Sequence, residues 1–350
     1  MKKILSVVII AFILSCSIKQ KAADGKPGED GGKQLVEKQE VNLQSTNRTI
    51  VEAITEEAIK KSMEYLASDE LGGRATGSEG IEKAAVFIED YFKANNIKPY
   101  FETYRDHFEF KNRRSSNPDE VIKGFNVIGF IEGNDPKLKN EFIILGGHYD
   151  HIGMGKEVNG DKIANGANDD ASGTIAAMEF GKYFAKSKTN KRSILITLYS
   201  AEEMGLKGSG HLAERLKSQG LDAYTMINFE MIGVPRAADK SMAYMSGYKR
   251  SNFAETLNKY AGKEVVGFFS KAKEMNLFMR SDNFPFYKEL NIPAHAISTF
   301  DFTNFDYYHH VDDEASQMDY KHMANFMNSM IPALEGMMNA PTKEVVLNDE

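Results

Sequence analysis

Histidine and acidic side chains recur just after apolar runs in this chain, and chemistry is to be sought there. His148 and Asp150 follow the run 141–145 through Gly146 and Gly147. Glu202 and Glu203 follow the run 193–199, Glu230 follows 224–228, and His309 and His310 lie in the loop after 294–300. The Gly/Asn/Asp-rich segment 153–173 adds Asp169 and Asp170. Ionisable groups at the ends of buried strands are costly unless paired or bound to a metal. Two histidines and three carboxylates on one rim suit a borderline metal. Imidazole and carboxylate both suit Zn²⁺, and no thiolate is available for the site. Two such ions about 3.5–4 Å apart require a bridging carboxylate and clamp a hydrolytic water between them.

The elements that must position these groups alternate. Periodicity places helices over 53–68, 80–95, 174–184, 208–216, 251–260 and 320–338, with strands over 100–110, 121–131, 141–147, 193–199, 224–228, 241–246 and 294–300. Thr55 before Glu56 and Glu57 marks a helix start. The segment 153–173 has no periodicity and reads as a long functional loop. The alternation predicts an α/β fold: a three-layer sandwich with a mixed, mostly parallel central sheet and helices on both faces. Ligands in such sheets bind beyond the carboxyl ends of the strands, where the histidines and carboxylates fall. The scattered Met and Phe residues read as core.

The N-terminus is not domain. Lys2 and Lys3, an almost wholly apolar stretch over 4–15 and then Cys16 have the layout of an export signal. The apolar run is shorter than the roughly 18 residues a spanning helix needs. Ile13-Leu14-Ser15-Cys16 resembles a bacterial lipobox, which implies a signal peptide over 1–15 and lipid attachment at Cys16, the single cysteine. One cysteine allows no intrachain disulfide. Residues 17–48 are polar and read, from Cys16 on, as a flexible tether. The expected organisation is a single catalytic domain over 49–342 and a tail over 343–350. The protein is expected to be exported and membrane-anchored, in the periplasm or at the cell surface. A net charge of −7 without a basic stripe gives no sign of nucleic-acid binding. Oligomeric state is not readable.

Four pieces resemble the M28-type aminopeptidases, the cocatalytic zinc exopeptidases: His-Tyr-Asp at 148–150, Asn-Asp-Asp-Ala-Ser-Gly at 168–173, Ala-Glu-Glu-Met-Gly-Leu-Lys-Gly-Ser at 201–209 and Asn-Phe-Glu-Met-Ile-Gly at 228–233. Leu71-Gly72-Gly73-Arg74, Thr76-Gly77-Ser78 and Ser281-Asp282-Asn283-Phe284-Pro285-Phe286 extend the likeness over about 55–335. The resemblance implies a zinc metallopeptidase with two Zn²⁺ per chain. It assigns His148 and Glu230 to one ion, Glu203 and His309 to the other, and Asp169 to both. It makes Glu202 the general base for a water activated by the two ions. Asp150 is implied to hold the His148 ring, and Tyr308 to steady the tetrahedral oxyanion. The implied activity is release of N-terminal residues from peptides. Glu230 departs from the family, where Asp is commoner, and the extra methylene bears on specificity more than on activity.

Other residues read more plainly. Asp170 is expected to cap its loop, His310 to face solvent or the loop, His151 to lie behind the ligands or at the surface, and His211 to be structural. Arg74 is expected to pair within the fold, with a substrate carboxylate as its alternative; Ser281-Asp282 orients the substrate wall or caps a helix. Carboxypeptidase or dipeptidase action on the same fold is a competing reading. Glutaminyl cyclase is another, disfavoured because the chain has no Trp. A non-catalytic binding module is disfavoured because all five ligand candidates are present.

Overall fold

The computed structural model describes residues 54–112, 119–236 and 241–349. The export signal, the lipobox with Cys16 and the tether lie outside the described residues. The chain enters helix α1 (Glu56–Leu66), where the Thr55 hydroxyl accepts from the Ala58 amide at 3.2 Å. Helix α2 (Glu79–Ala94) starts in the same way at Ser78. Strands β1 (Lys98–Pro99), β2 (Arg105–Lys111), β3 (Val121–Ile131) and β4 (Phe142–His148) follow, then β5 (Gly153–Val158), β6 (Asp161–Ala164) and helix α3 (Ser172–Ser187). Next come β7 (Ser193–Tyr199), α4 (Lys207–Ser218), β8 (Ala223–Phe229), β9 (Ala243–Met245), α5 (Phe253–Ala261), β10 (Val266–Gly267), α6 (Ser270–Glu274), α7 (Asn283–Leu290), β11 (Ala294–Ser298) and α8 (Tyr320–Asn339).

The central sheet runs β1-β3-β7-β4-β8-β11-β9-β10, with β2 also paired to β3. Its middle strands β7, β4, β8 and β11 are parallel, and it turns antiparallel at β3 on one side and at β9 on the other. The α/β class and the helices on both faces are therefore as expected. The pleat explains why the middle strands read as unbroken apolar runs. Ile143 and Leu145, with Ile194, Ile196 and Leu198, enter one core, whereas Ile144, Leu195 and Tyr199 enter the other. Helices α1, α2, α3 and α8 cover the first face, and α4 and α7 the second.

Strand β4 has β7 on one side and β8 on the other. The chain leaves β4, packs α3 on one face, returns as β7, and crosses by α4 on the opposite face to β8. This reversal opens a crevice at the carboxyl end of β4. Register brings the ends together, with His148 beside Tyr199 and Gly146 beside Asn228. The start of α3 presses on this end so closely that a Cβ on Gly147 would stand 2.8 Å from the Gly173 carbonyl carbon.

The expected structureless loop is corrected over 153–164, which forms the β5–β6 hairpin. Its turn is Asn159-Gly160, both with positive φ (53° and 91°), the backbone that a tight two-residue hairpin requires.

Candidate active site

His148 ends β4 and is 1% exposed. Its Nε2 lies 3.2 Å from Asp169 Oδ1 and 3.4 Å from Glu230 Oε1. The other oxygen of Asp169, Oδ2, lies 3.2 Å from His309 Nε2, and that nitrogen is 3.1 Å from Glu203 Oε2. Asp169 thus presents one oxygen to each of two corners, His148 with Glu230 and His309 with Glu203. Donor atoms 2.0–2.1 Å from a tetrahedral zinc stand roughly 3.3 Å apart, so both corners have the spacing of a shared ion.

His151 joins the second corner. It is buried, with Nδ1 3.1 Å from Glu203 Oε1 and 3.9 Å from Asp169 Oδ2. Both its ring nitrogens, Glu203 Oε1 and His309 Nε2 are buried without an aligned hydrogen bond. Such atoms, converging in a cluster of three carboxylates and three histidines, fit a cation and are costly without one. His151 therefore belongs with the second corner, not at the surface. The spacing signal for it is His148-Tyr149-Asp150-His151, a second imidazole just past the strand end.

Supporting residues fix these groups. The Asp313 carboxylate, buried, accepts from the amides of Asn168 (2.7 Å) and Asp169 (3.1 Å) and so holds the Asp169 backbone; sequence reasoning missed it. Asp170 accepts from the amides of His148 (3.3 Å), Gly173 (3.0 Å) and Met231 (2.9 Å), tying together the ends of β4, α3 and β8 as a cap. It also lies within reach of His148 and Glu230 as a third donor, but those amides occupy its oxygens. Glu230 Oε2 accepts from Ser281 Oγ at 2.7 Å and from Asn228 Nδ2 at 3.3 Å, which places Ser281 against a proposed ligand and not on a helix cap. Ala201 (φ 56°), Met231 (φ 50°) and His309 (φ 56°) sit in the left-handed region beside or at these groups, a local cost of about 1–3 kcal/mol each that the surroundings sustain.

The Asp150 backbone carbonyl, not its carboxylate, makes the shorter contact with His148 Nδ1 (3.1 Å against 3.6 Å). Its carboxylate accepts from the Glu202 amide at 3.2 Å and from Thr76 Oγ1 at 3.2 Å, and Thr76 Oγ1 accepts from the Ala201 amide at 2.8 Å. Asp150 therefore aims the Glu202 turn as well as the histidine. Tyr308 stacks on His309, ring centroids 4.0 Å apart. His310 turns away to Asp312, Nδ1 to Oδ2 3.4 Å. Arg74 is buried and donates to the carbonyls of Leu66, Tyr149, Asn165 and Gly166, so its guanidinium is engaged within the fold, as expected. His211 pairs with buried Asp106, 3.3 Å, in a structural cluster.

The electrostatics separate the acids. Burial pushes the Asp169 carboxyl up, but His148 and His309 outweigh it and hold it well below the usual carboxylate range. Glu203 is likewise held low by His151 and His309 against burial and Asp169. Glu202 goes the other way: burial, with Asp282, Glu230 and Glu203 adding to it against His148, holds its carboxyl well above the usual range. Neighbouring acids with opposed shifts are the pattern of ligand and proton carrier.

The family model for peptidase family M28 matches residues 126–334, more than half of the chain. A probable zinc metalloprotease of Pyrenophora teres f. teres is 34% identical over 114 residues, 32% of this chain and 23% of that protein. A probable leucine aminopeptidase of Trichophyton verrucosum is 28% identical over 211 residues, 58% of this chain and 53% of that protein. The matches thus span about a quarter to half of these relatives' lengths. Among solved structures, the Legionella pneumophila LapA aminopeptidase superposes with TM-score 0.62 at 21% identity, covering 83% of this chain and 74% of its own. The glutaminyl cyclase of Fimbriiglobus ruber superposes with TM-score 0.63 at 19% identity, covering 80% and 95%. These likenesses establish the fold.

Proposed function

The chain belongs to peptidase family M28 and is a zinc metallopeptidase by family, and from that premise we propose that it is a two-zinc aminopeptidase. The observation that carries the proposal is Asp169, whose two oxygens each stand 3.2 Å from a different histidine. His148 and Glu230 would hold one ion, and Glu203 and His309 the other, with His151 beside the second. Zinc there supplies Lewis-acid polarisation of the scissile carbonyl and a water of lowered pKa.

The chain's own residues do the rest. Asp169 keeps both corners in register. Glu202 makes no close histidine contact, and its raised pKa suits a group that takes a proton from the attacking water and passes it to the leaving amine. The Tyr308 phenol is held protonated by burial and the surrounding carboxylates, and donates to the developing oxyanion. An acid-rich rim, with Arg74 buried and turned to backbone carbonyls inside the fold, favours a substrate α-amine over an α-carboxylate. The N-terminal layout adds export and lipid anchoring at Cys16 to the proposal; C16A should move the protein from the membrane to the soluble fraction.

Chelation should abolish hydrolysis of amino-acyl amides and Zn²⁺ should restore it. Glu202→Gln should retain zinc while losing roughly 10²–10⁴-fold in kcat; near-normal turnover with full zinc would remove Glu202 from its role. Faster pyroglutamate formation from N-terminal glutaminyl peptides than amide hydrolysis would replace the aminopeptidase with a cyclase.

A further inference from the structure

A second pocket lies on the far side of the β9 end from the acids. Tyr244 and Ser246 line the cavity beside Glu230, whereas Met245 and Gly247, which alternate with them, line this one. The segment before α7 divides in the same way, with Leu277 and Arg280 on the first cavity and Asn276 and Phe278 on the second. One thickness of chain therefore separates the two, and none of the proposed zinc ligands lines the second.

The lining is aromatic and cationic. Phe268 is 48% exposed and stands edge-on to Tyr248, ring centroids 5.6 Å apart. The Arg250 guanidinium lies 4.6 Å from the centre of the Phe278 ring and donates to Tyr287 Oη at 3.1 Å, so it is held in place. Lys249 Nζ stands 5.7 Å from the centre of the Phe268 ring. Lys249 and Lys273 are exposed and make no ion pair among the described residues. The Asn276 carboxamide is exposed too and makes no hydrogen bond among them. No acid lines the pocket, in a chain whose net charge is −7.

A single exposed phenylalanine is ordinary. One set among three cations in an acidic chain is complementary to a flat apolar group that carries negative charge. The cavity holds about 240 Å³, below the roughly 300–1,000 Å³ of sites for drug-sized ligands, so it takes one residue-sized group and not a nucleotide. We propose that this pocket binds the C-terminal residue of a peptide. An aromatic or large aliphatic side chain lies against Phe268, Tyr248 and Phe278, and the terminal carboxylate meets Lys249, Arg250 and Lys273. Asn276 offers a donor and an acceptor to the preceding peptide group. A free amino acid is disfavoured, because its ammonium group meets the same three cations. The site goes beyond the aminopeptidase reading and does not rest on it.

The test is calorimetric titration of the zinc-loaded chain with N-acetyl-phenylalanine, N-acetyl-phenylalaninamide and 3-phenylpropionate. The first should bind about tenfold or more tighter than its uncharged amide, a difference that shrinks with added salt. It should also bind more tightly than 3-phenylpropionate, which lacks the peptide group; equal affinity would make the ligand a plain aryl acid and overturn the assignment. The double variant Lys249→Glu, Lys273→Glu should weaken N-acetyl-phenylalanine about tenfold or more and leave the amide nearly unaffected. Its melting temperature and its hydrolysis of leucyl p-nitroanilide should match those of wild type. Phe268→Ala, a change at an exposed side chain, should weaken the acid and the amide alike. Removing zinc should leave the affinity in place. Binding that is lost with zinc and indifferent to the lysine reversal would put the ligand on the metal corners and overturn the site. If leucyl p-nitroanilide is not cleaved but N-acetyl-phenylalanine binding follows the lysines, the aminopeptidase reading falls and the pocket stands.

Discussion

The two corners that share Asp169 are built differently. His148 and Glu230 stand at the ends of neighbouring parallel strands, β4 and β8, with the histidine 1% exposed and the Glu230 side chain 20% exposed. His309 comes from the loop after β11, is 35% exposed and sits at φ 56°; Glu203 comes from the turn after β7. Strand ends clamped by sheet pairing and by Asp170 have little freedom, so the first corner is fixed by the fold itself. The second depends on a strained loop residue and on His151 filling in behind. A site on sheet ends is more exact than one on loops, and loops open locally at lower cost. The difference predicts that, with zinc bound as proposed, the first corner holds its ion more tightly and the second adapts more readily.

The largest effect should come from removing what joins them. Asp169→Ala should lower zinc below one ion per chain and abolish hydrolysis, well beyond the roughly 10–100-fold that a supporting residue costs. Two full ions in that variant, by metal analysis, would break the picture of a shared bridge. Next, His309→Ala should keep more than one ion per chain, because His151 stands in reserve beside Glu203, while His148→Ala, with no second histidine at the first corner, should fall to one ion or fewer; equal losses would erase the contrast. Asp313→Ala removes the acceptor for the Asn168 and Asp169 amides and should cost about 10–100-fold in kcat/KM without emptying the first corner.

Much of this is legible in sequence, and unevenly so. Buried parallel strands need apolar residues on both faces, so β3, β4, β7 and β8 stand out as runs, and any charge at their ends is conspicuous. That is why His148, Glu202, Glu203 and Glu230 stand out as candidates from the residues alone. The choice of Asp169 over Asp170 and of His309 over His310 rests on family resemblance, because neighbours in a loop differ only in where the backbone turns them. The same blindness leaves His151 between two readings, behind the ligands or at the surface, until its Nδ1 is found buried 3.1 Å from Glu203 Oε1. Asp313 is invisible because its partners are backbone amides 144 and 145 residues away. The β5–β6 hairpin carried a readable signal in Asn159-Gly160, overlooked because the strands around it are short and polar.

The smallest expected effect is thermal, and it tests the exposed corner without turnover. In the metal-free protein, burial lowers the His309 pKa, but Asp169 and Glu203 outweigh it and raise it from 6.5 to about 10. A folded-state pKa above the unfolded value gives stability that is complete below the unfolded pKa, near 6.5, and lost as pH rises through about 10. Asp282, whose carboxyl burial lifts to about 7, acts with the same sign but across a lower window, from 3.8 upward. Metal-free protein should therefore melt at progressively lower temperature between pH 6.5 and 10. Zinc-loaded protein should not follow that slope, because a nitrogen engaged by metal has no proton to lose. His309→Gln should flatten the metal-free slope in this window, by only part of its value, since His148 is also held protonated by its carboxylates against burial and the partial exposure of His309 screens its pairing. A slope unchanged by His309→Gln would mean that the loop histidine is not engaged with Asp169 and Glu203 in solution, and the two corners would no longer be comparable.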